Sequence, residues 1–147
     1  MQMKKIEERV RMLTEQYGCA DPMRLCELMG ITVLQLELPD SVNGFTVTME
    51  GHRFIVLNRS LDYYCRKITA AHELGHIILH GCTNTVRLSA NTSFCINRYE
   101  READCFAAHL LLAQESGGLE GLETVTSEDL SLLTHMPKSM IENAFFG

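Results

Sequence analysis

The sequence predicts an α+β fold, with a small antiparallel or mixed sheet packed on one buried helix and the rest of the chain mainly helical. Three observations predict it. Ile6, Val10, Leu13 and Tyr17 recur at helical spacing. Two β-prone runs, Phe45-Thr46-Val47-Thr48-Met49 and Arg53-Phe54-Ile55-Val56-Leu57, flank the turn signal Glu50-Gly51. Ile68 to Leu79 is apolar around much of a helical circumference, the mark of a buried helix. A chain of 147 residues suits one domain over 1–147, and its 46% apolar content is enough for a core.

Taken in order, the first helix ends at Gly18. Asp21-Pro22 supplies a cap and then a proline at the first helical position, opening a short helix that runs to Gly30. Ile31 to Leu38 reads as a strand stopped by Pro39, followed by the hairpin. Asp62 or Ser60 caps the next helix, which runs to about His80 and ends at Gly81. Residues 82–97 are polar and read as a long loop, a feature that is often functional. A helix covers Arg98 to Ala113, and Gly117, Gly118 and Gly121 break the chain. Short helices follow near Ser127–Thr134 and Lys138–Phe145, forming an acidic element at about 126–147.

The formal net charge of -6 disfavours a nucleic-acid binder, which needs a basic face to meet phosphates. From Glu102 onward Lys138 is the one basic residue against eight acidic ones. No apolar run reaches membrane-spanning length, and the opening Met1-Gln2-Met3-Lys4-Lys5 leads to Glu7 and Glu8 rather than to an apolar stretch. A cytoplasmic protein is expected, without membrane or direct nucleic-acid partners. The six cysteines form no C-x-x-C pair, so they read as reduced, mostly apolar fillers.

The chemistry concentrates in His72-Glu73-Leu74-Gly75-His76. Residues four apart on a helix project from one face, so His72 and His76 can meet one metal ion. Glu73 lies beside the first histidine, within reach of a water on that metal, and can serve as general base. Buried histidines beside a buried glutamate would be costly without a shared partner, and a metal supplies one. A catalytic zinc site also needs a third protein ligand and an open position. Glu100, Glu102, Asp104 and His109 are the downstream candidates. Glu100 and Asp104 share a helix face, whereas Glu102 points about 200° away from Glu100. If Glu100 faces the metal, Glu102 cannot; Glu100 is assigned as the ligand, and Asp104 as an acceptor that orients a ligand histidine. His80 continues the 72, 76 spacing but lies too far along the helix to share their metal. It reads as a helix-end residue or a wall of the cleft. His52, His109 and His135 read as structural or surface residues.

These residues resemble the ImmA/IrrE family of metallopeptidases. The resemblance is carried by Phe54–Asn58 leading to Ile68-Thr69-Ala70-Ala71-His72-Glu73-Leu74-Gly75-His76-Ile77-Ile78-Leu79-His80, and by a second block, Glu100-Arg101-Glu102-Ala103-Asp104-Cys105-Phe106-Ala107-Ala108. It implies a zincin-like fold of the thermolysin type and one Zn2+ per chain held by His72, His76 and Glu100. It also implies Glu73 as base and Asp104 as support for a histidine. The strand Phe54, Ile55, Val56, Leu57, Asn58 would be the sheet edge along which an extended peptide docks.

The resemblance further implies a bacterial endopeptidase of prophage, mobile-element or stress regulation, cutting a helix-turn-helix repressor and so lifting repression. The second block departs from the family's usual ending, reading Leu110-Leu111-Leu112-Ala113. The tail lacks the arginine common near the family's end. The alternative is a catalytically silent, metal-bound module that partners a DNA-binding regulator. Retention of Glu73 favours the enzyme, because a scaffold has no need of it.

Overall fold

Helix α1 (Met3–Tyr17) buries Ile6, Val10 and Leu13 along one stripe, as the spacing requires. The computed structural model describes residues 3–81, 94–116 and 126–146. Asp21 caps α2 (Pro22–Leu28), its carboxylate accepting from the Arg24 amide at 2.9 Å, with Pro22 opening the helix. Three strands follow: β1 (Thr32–Leu36), β2 (Gly44–Met49) and β3 (His52–Asn58). Glu50 and Gly51 join β2 to β3 with φ of 51° and 80°. Two consecutive left-handed residues make the two-residue turn whose twist matches that of the strands, and glycine accepts such a φ without strain.

The sheet order is β1-β3-β2, with β1 parallel and β2 antiparallel to β3. The expected mixed sheet is therefore present, but its strand order corrects one expectation. Phe54 to Asn58 is not an edge. Each of these residues faces a β1 partner, and Phe54 to Leu57 also face β2 partners, so the backbone is paired on both sides. The reason lies in residues 37–43, which link β1 to β2 across the end of β3. Asn58, 3% exposed, pins this link. Its amide donates to the carbonyls of Leu38 and Pro39 at 3.2 Å each and of Val42 at 2.9 Å. Turning the Leu38 carbonyl toward Asn58 also explains why β1 stops at Leu36, short of the expected Leu38.

Helix α3 (Tyr63–His80) is capped by Asp62, not Ser60, through the Cys65 amide at 2.8 Å. Ser60 instead donates to the Asn58 side chain. As expected of a helix apolar around its circumference, α3 is covered on several sides. Ile55 and Leu57 of the sheet lie fully buried with it in one core, and α4 (Phe94–Ser116) packs against it. Helix α4 begins before the expected Arg98 and runs past Ala113, and the remainder of the expected loop, 82–93, lies outside the described residues. So does the glycine-rich break at 117–121. Helices α1, α5 (Ser127–Thr134) and α6 (Lys138–Phe146) pack on α4, adding Leu130, Met136 and Ile141 to the same core. Thr126 and Asp129 close α5 with a reciprocal capping box. Among the described residues no helix is long and apolar enough to cross a membrane.

Helices α3 and α4 approach closely at Gly75. A Cβ there would stand 3.0, 3.1 and 3.2 Å from Cδ1, Cβ and Cγ of Phe106, which is fully buried. Gly75→Ala should gain about 1 kcal/mol of helix propensity but lose more by wedging the helices apart, for a net destabilisation of about 1–2 kcal/mol. A urea denaturation midpoint checks this; a midpoint equal to or above that of the wild type would mean that Phe106 yields freely.

Candidate metal centre

The α3 backbone sets His72 and His76 one turn apart, and the α3–α4 contact brings Glu100 and Asp104 to them. The Nε2 atoms of His72 and His76 lie 3.1 Å from each other. The Glu100 carboxylate closes the triangle, with Oε2 at 2.8 Å from His72 Nε2 and Oε1 at 3.1 Å from His76 Nε2. Ligand atoms about 2.0–2.1 Å from a tetrahedral zinc are about 3.3–3.4 Å apart. The observed triangle is within a few tenths of an ångström to about half an ångström of that, and its donors are the nitrogen and oxygen set that zinc accepts. These residues fit a metal ion.

Glu73 is 4% exposed, and its carboxylate lies within 4.8 Å of both imidazoles. Glu100 touches both imidazoles, one carboxylate oxygen on each Nε2, and so stands where a third donor could sit. The imidazoles are enclosed, with side chains 13% and 2% exposed for His72 and His76, while the Glu100 side chain is 31% exposed. The cluster therefore opens toward solvent on the Glu100 side.

Asp104 Oδ1 accepts from His72 Nδ1 at 2.7 Å. That bond fixes the ring and leaves Nε2 facing the cluster. Burial alone would favour a neutral His72. Hydrogen bonds to Asp104 and Glu100, with the nearby charge of Glu73, outweigh burial and carry its pKa up to about 10. Burial likewise opposes the charge on Glu100, but its hydrogen bonds to His72 and His76 prevail and hold its carboxyl well below the usual carboxylate range.

The structure thus brings His72, Glu73, His76, Glu100 and Asp104 together and leaves the strand Phe54 to Asn58 out. Ile55 and Leu57 are core, and the Asn58 side chain is consumed by the 38–42 carbonyls. Of the other candidate ligands, His109 is on α4 against Phe145, 6% exposed, and burial lowers its pKa. Glu102 does turn away from the triangle, yet it is buried and takes His80 Nε2 at 3.1 Å. His80 Nδ1 stands 3.0 Å from His76 Nδ1. Sequence reading left His80 and Glu102 without a place here. The available signal was the unbroken stripe 72, 76, 80 on one helix face. His52 bonds Thr32 near the surface at 2.7 Å, and His135 stacks on Tyr64. Cys105 is a core residue whose burial pushes its thiol up to about 12.

Comparison with known proteins bears on this site. A peptidase family model described as the IrrE N-terminal-like domain matches residues 26–116, which include all of α3 and the whole triangle. The "uncharacterized immunity region protein 2" of Bacillus phage phi105 is 29% identical over 135 residues, 92% of this chain and 85% of that protein. "Metallopeptidase ImmA" of Bacillus subtilis strain 168 is 21% identical over 137 residues, 91% of this chain and 80% of that protein.

In the metal-free protein at neutral pH, the raised pKa keeps a proton on His72, shared toward Glu100 and Asp104. A metal must displace it, since only neutral imidazole is a ligand. Zinc uptake at pH 7 should release about one proton, and affinity should weaken about tenfold per unit of pH lowered. Calorimetry in two buffers of different ionisation enthalpy reads the proton count; uptake without proton release would contradict the assigned charge state.

Proposed function

We propose, because this chain belongs to the peptidase family of IrrE N-terminal-like domains, that it is a zinc-dependent endopeptidase acting on a protein substrate. Family membership carries the metallopeptidase-type function. The observation that carries the rest is the triangle of His72, His76 and Glu100 with Glu73 buried beside it. In this reading His72, His76 and Glu100 hold the metal, and Asp104 fixes the His72 ring. The zinc, when bound, would acidify a water and polarise the scissile carbonyl. Glu73 takes the proton from the attacking water and passes it to the leaving amine. The exposed side of Glu100 leaves an approach for substrate.

Backbone pairing with an extended substrate would fall to β2, not β3. Among the described residues β2 has β3 as its one strand neighbour, and it packs against α3. We take residues 1–147 as one metallopeptidase domain, since α5 and α6 contribute to the core that also holds α3. The substrate class proposed is a helix-turn-helix repressor in the cytoplasm. It rests on the family resemblance, and the phage relative named for an immunity region supports it.

Glu73→Gln keeps the shape of the side chain and removes the base. Incubated with a candidate helix-turn-helix repressor, wild type should produce a discrete cut by mass spectrometry. The variant should retain one zinc per chain and lose at least about a hundredfold in rate. Equal cleavage by both proteins would refute the role of Glu73.

A further inference from the structure

We infer that His80 and Glu102 are positioning residues for the His76 ligand, acting through a relay of two imidazoles. This rests on the metal-ligand reading above. If His76 Nε2 faces the metal, it must offer a lone pair there, so its ring proton sits on Nδ1. The atom that Nδ1 meets is His80 Nδ1 at 3.0 Å. Two protonated nitrogens cannot share a hydrogen bond, so His80 Nδ1 accepts and His80 carries its own proton on Nε2. That N–H points to Glu102 Oε1 at 3.1 Å. One choice of tautomer at His76 thus fixes every donor in the chain, and each falls opposite an acceptor.

The relay is held on both sides. The His80 and Glu102 side chains are 7% and 8% exposed, so water competes little for these bonds. Tyr99 lies against the His80 ring at a centroid distance of 4.3 Å. The two ligand histidines are therefore supported differently: His72 by Asp104 directly, and His76 by Glu102 through a second imidazole. This accounts for the third histidine of the 72, 76, 80 stripe, which is too far along α3 to join the metal. It also gives a purpose to a buried glutamate that the helical angle turns away from the metal. Supporting partners of this kind typically carry 10- to 100-fold in metal affinity.

The test measures zinc affinity by chelator competition, and the visible spectrum of the cobalt-substituted protein, on four proteins. These are wild type, His80→Phe, His80→Asn and Glu102→Gln. Phenylalanine keeps the ring packing but offers His76 no acceptor. The asparagine amide oxygen stands about where Nδ1 was and restores one. His80→Phe should bind zinc about 10- to 100-fold more weakly with an altered cobalt spectrum, and His80→Asn should recover to within about threefold of wild type. Glu102→Gln should fall between them. Wild-type affinity and spectrum in His80→Phe would overturn the relay while leaving the metal site standing. Equal losses in His80→Phe and His80→Asn would overturn it too, since packing alone would then explain them. If circular dichroism shows His80→Phe unfolded, the isosteric Glu102→Gln decides: a several-fold loss supports the relay and none refutes it. A wild type that binds no zinc would remove the metal reading and this inference with it.

Discussion

The contact between Gly75 and Phe106 is the constraint on which the rest of this molecule depends. It lets α4 approach α3 closely enough for carboxylates on one helix to meet imidazoles on the other. Glu100, Glu102 and Asp104 each find a histidine of α3 because of that approach. The glycine inside the His72–His76 motif is thus a packing residue as well as a spacer. Core density around it, from Leu74, Ala70, Ala71, Phe106 and Leu110, holds the helices in register, since close-packed interiors yield little to small displacements.

Electrostatics then decides what the assembled cluster can hold. Glu73, Glu100 and Asp104 surround two imidazoles in a largely enclosed space. Carboxylates gathered this closely need positive charge to stay ionised, and in the metal-free protein His72 provides it as an imidazolium. A divalent cation meets the same need with twice the charge and without a proton. The site is therefore selected for cations by its charge, and for nitrogen–oxygen coordination by its donors. Asp104 holds the His72 ring directly, and with a metal bound Glu102 would hold the His76 ring through His80.

Most of the site could be read from the sequence because its parts are local. The i, i+4 spacing of His72 and His76, the neighbouring Glu73, and the shared face of Glu100 and Asp104 all follow from helix geometry alone. The caps at Asp21 and Asp62 and the turn at Glu50-Gly51 are similarly local. The strand order was not legible. Whether β3 is an edge depends on where β1 lands, and that depends on residues 37–43 crossing the end of β3 to be gripped by Asn58. No periodicity encodes such a crossing. His80 and Glu102 were missed for a related reason: they meet from different helices, and each looked ordinary on its own. His109, read as structural or surface, is buried against Phe145 of α6, a contact that the sequence does not show.

X-ray absorption at the zinc edge of the loaded protein tests the central claim most directly, because it reads the ligand atoms themselves. The account predicts a first shell of nitrogen and oxygen at about 2.0–2.1 Å, with the outer-shell scattering of two imidazoles. That signal should fall to one imidazole in His76→Ala. A sulfur scatterer at about 2.3 Å, or an imidazole count untouched by removing His76, would mean that the metal binds elsewhere and that the α3–α4 triangle is not the metal centre.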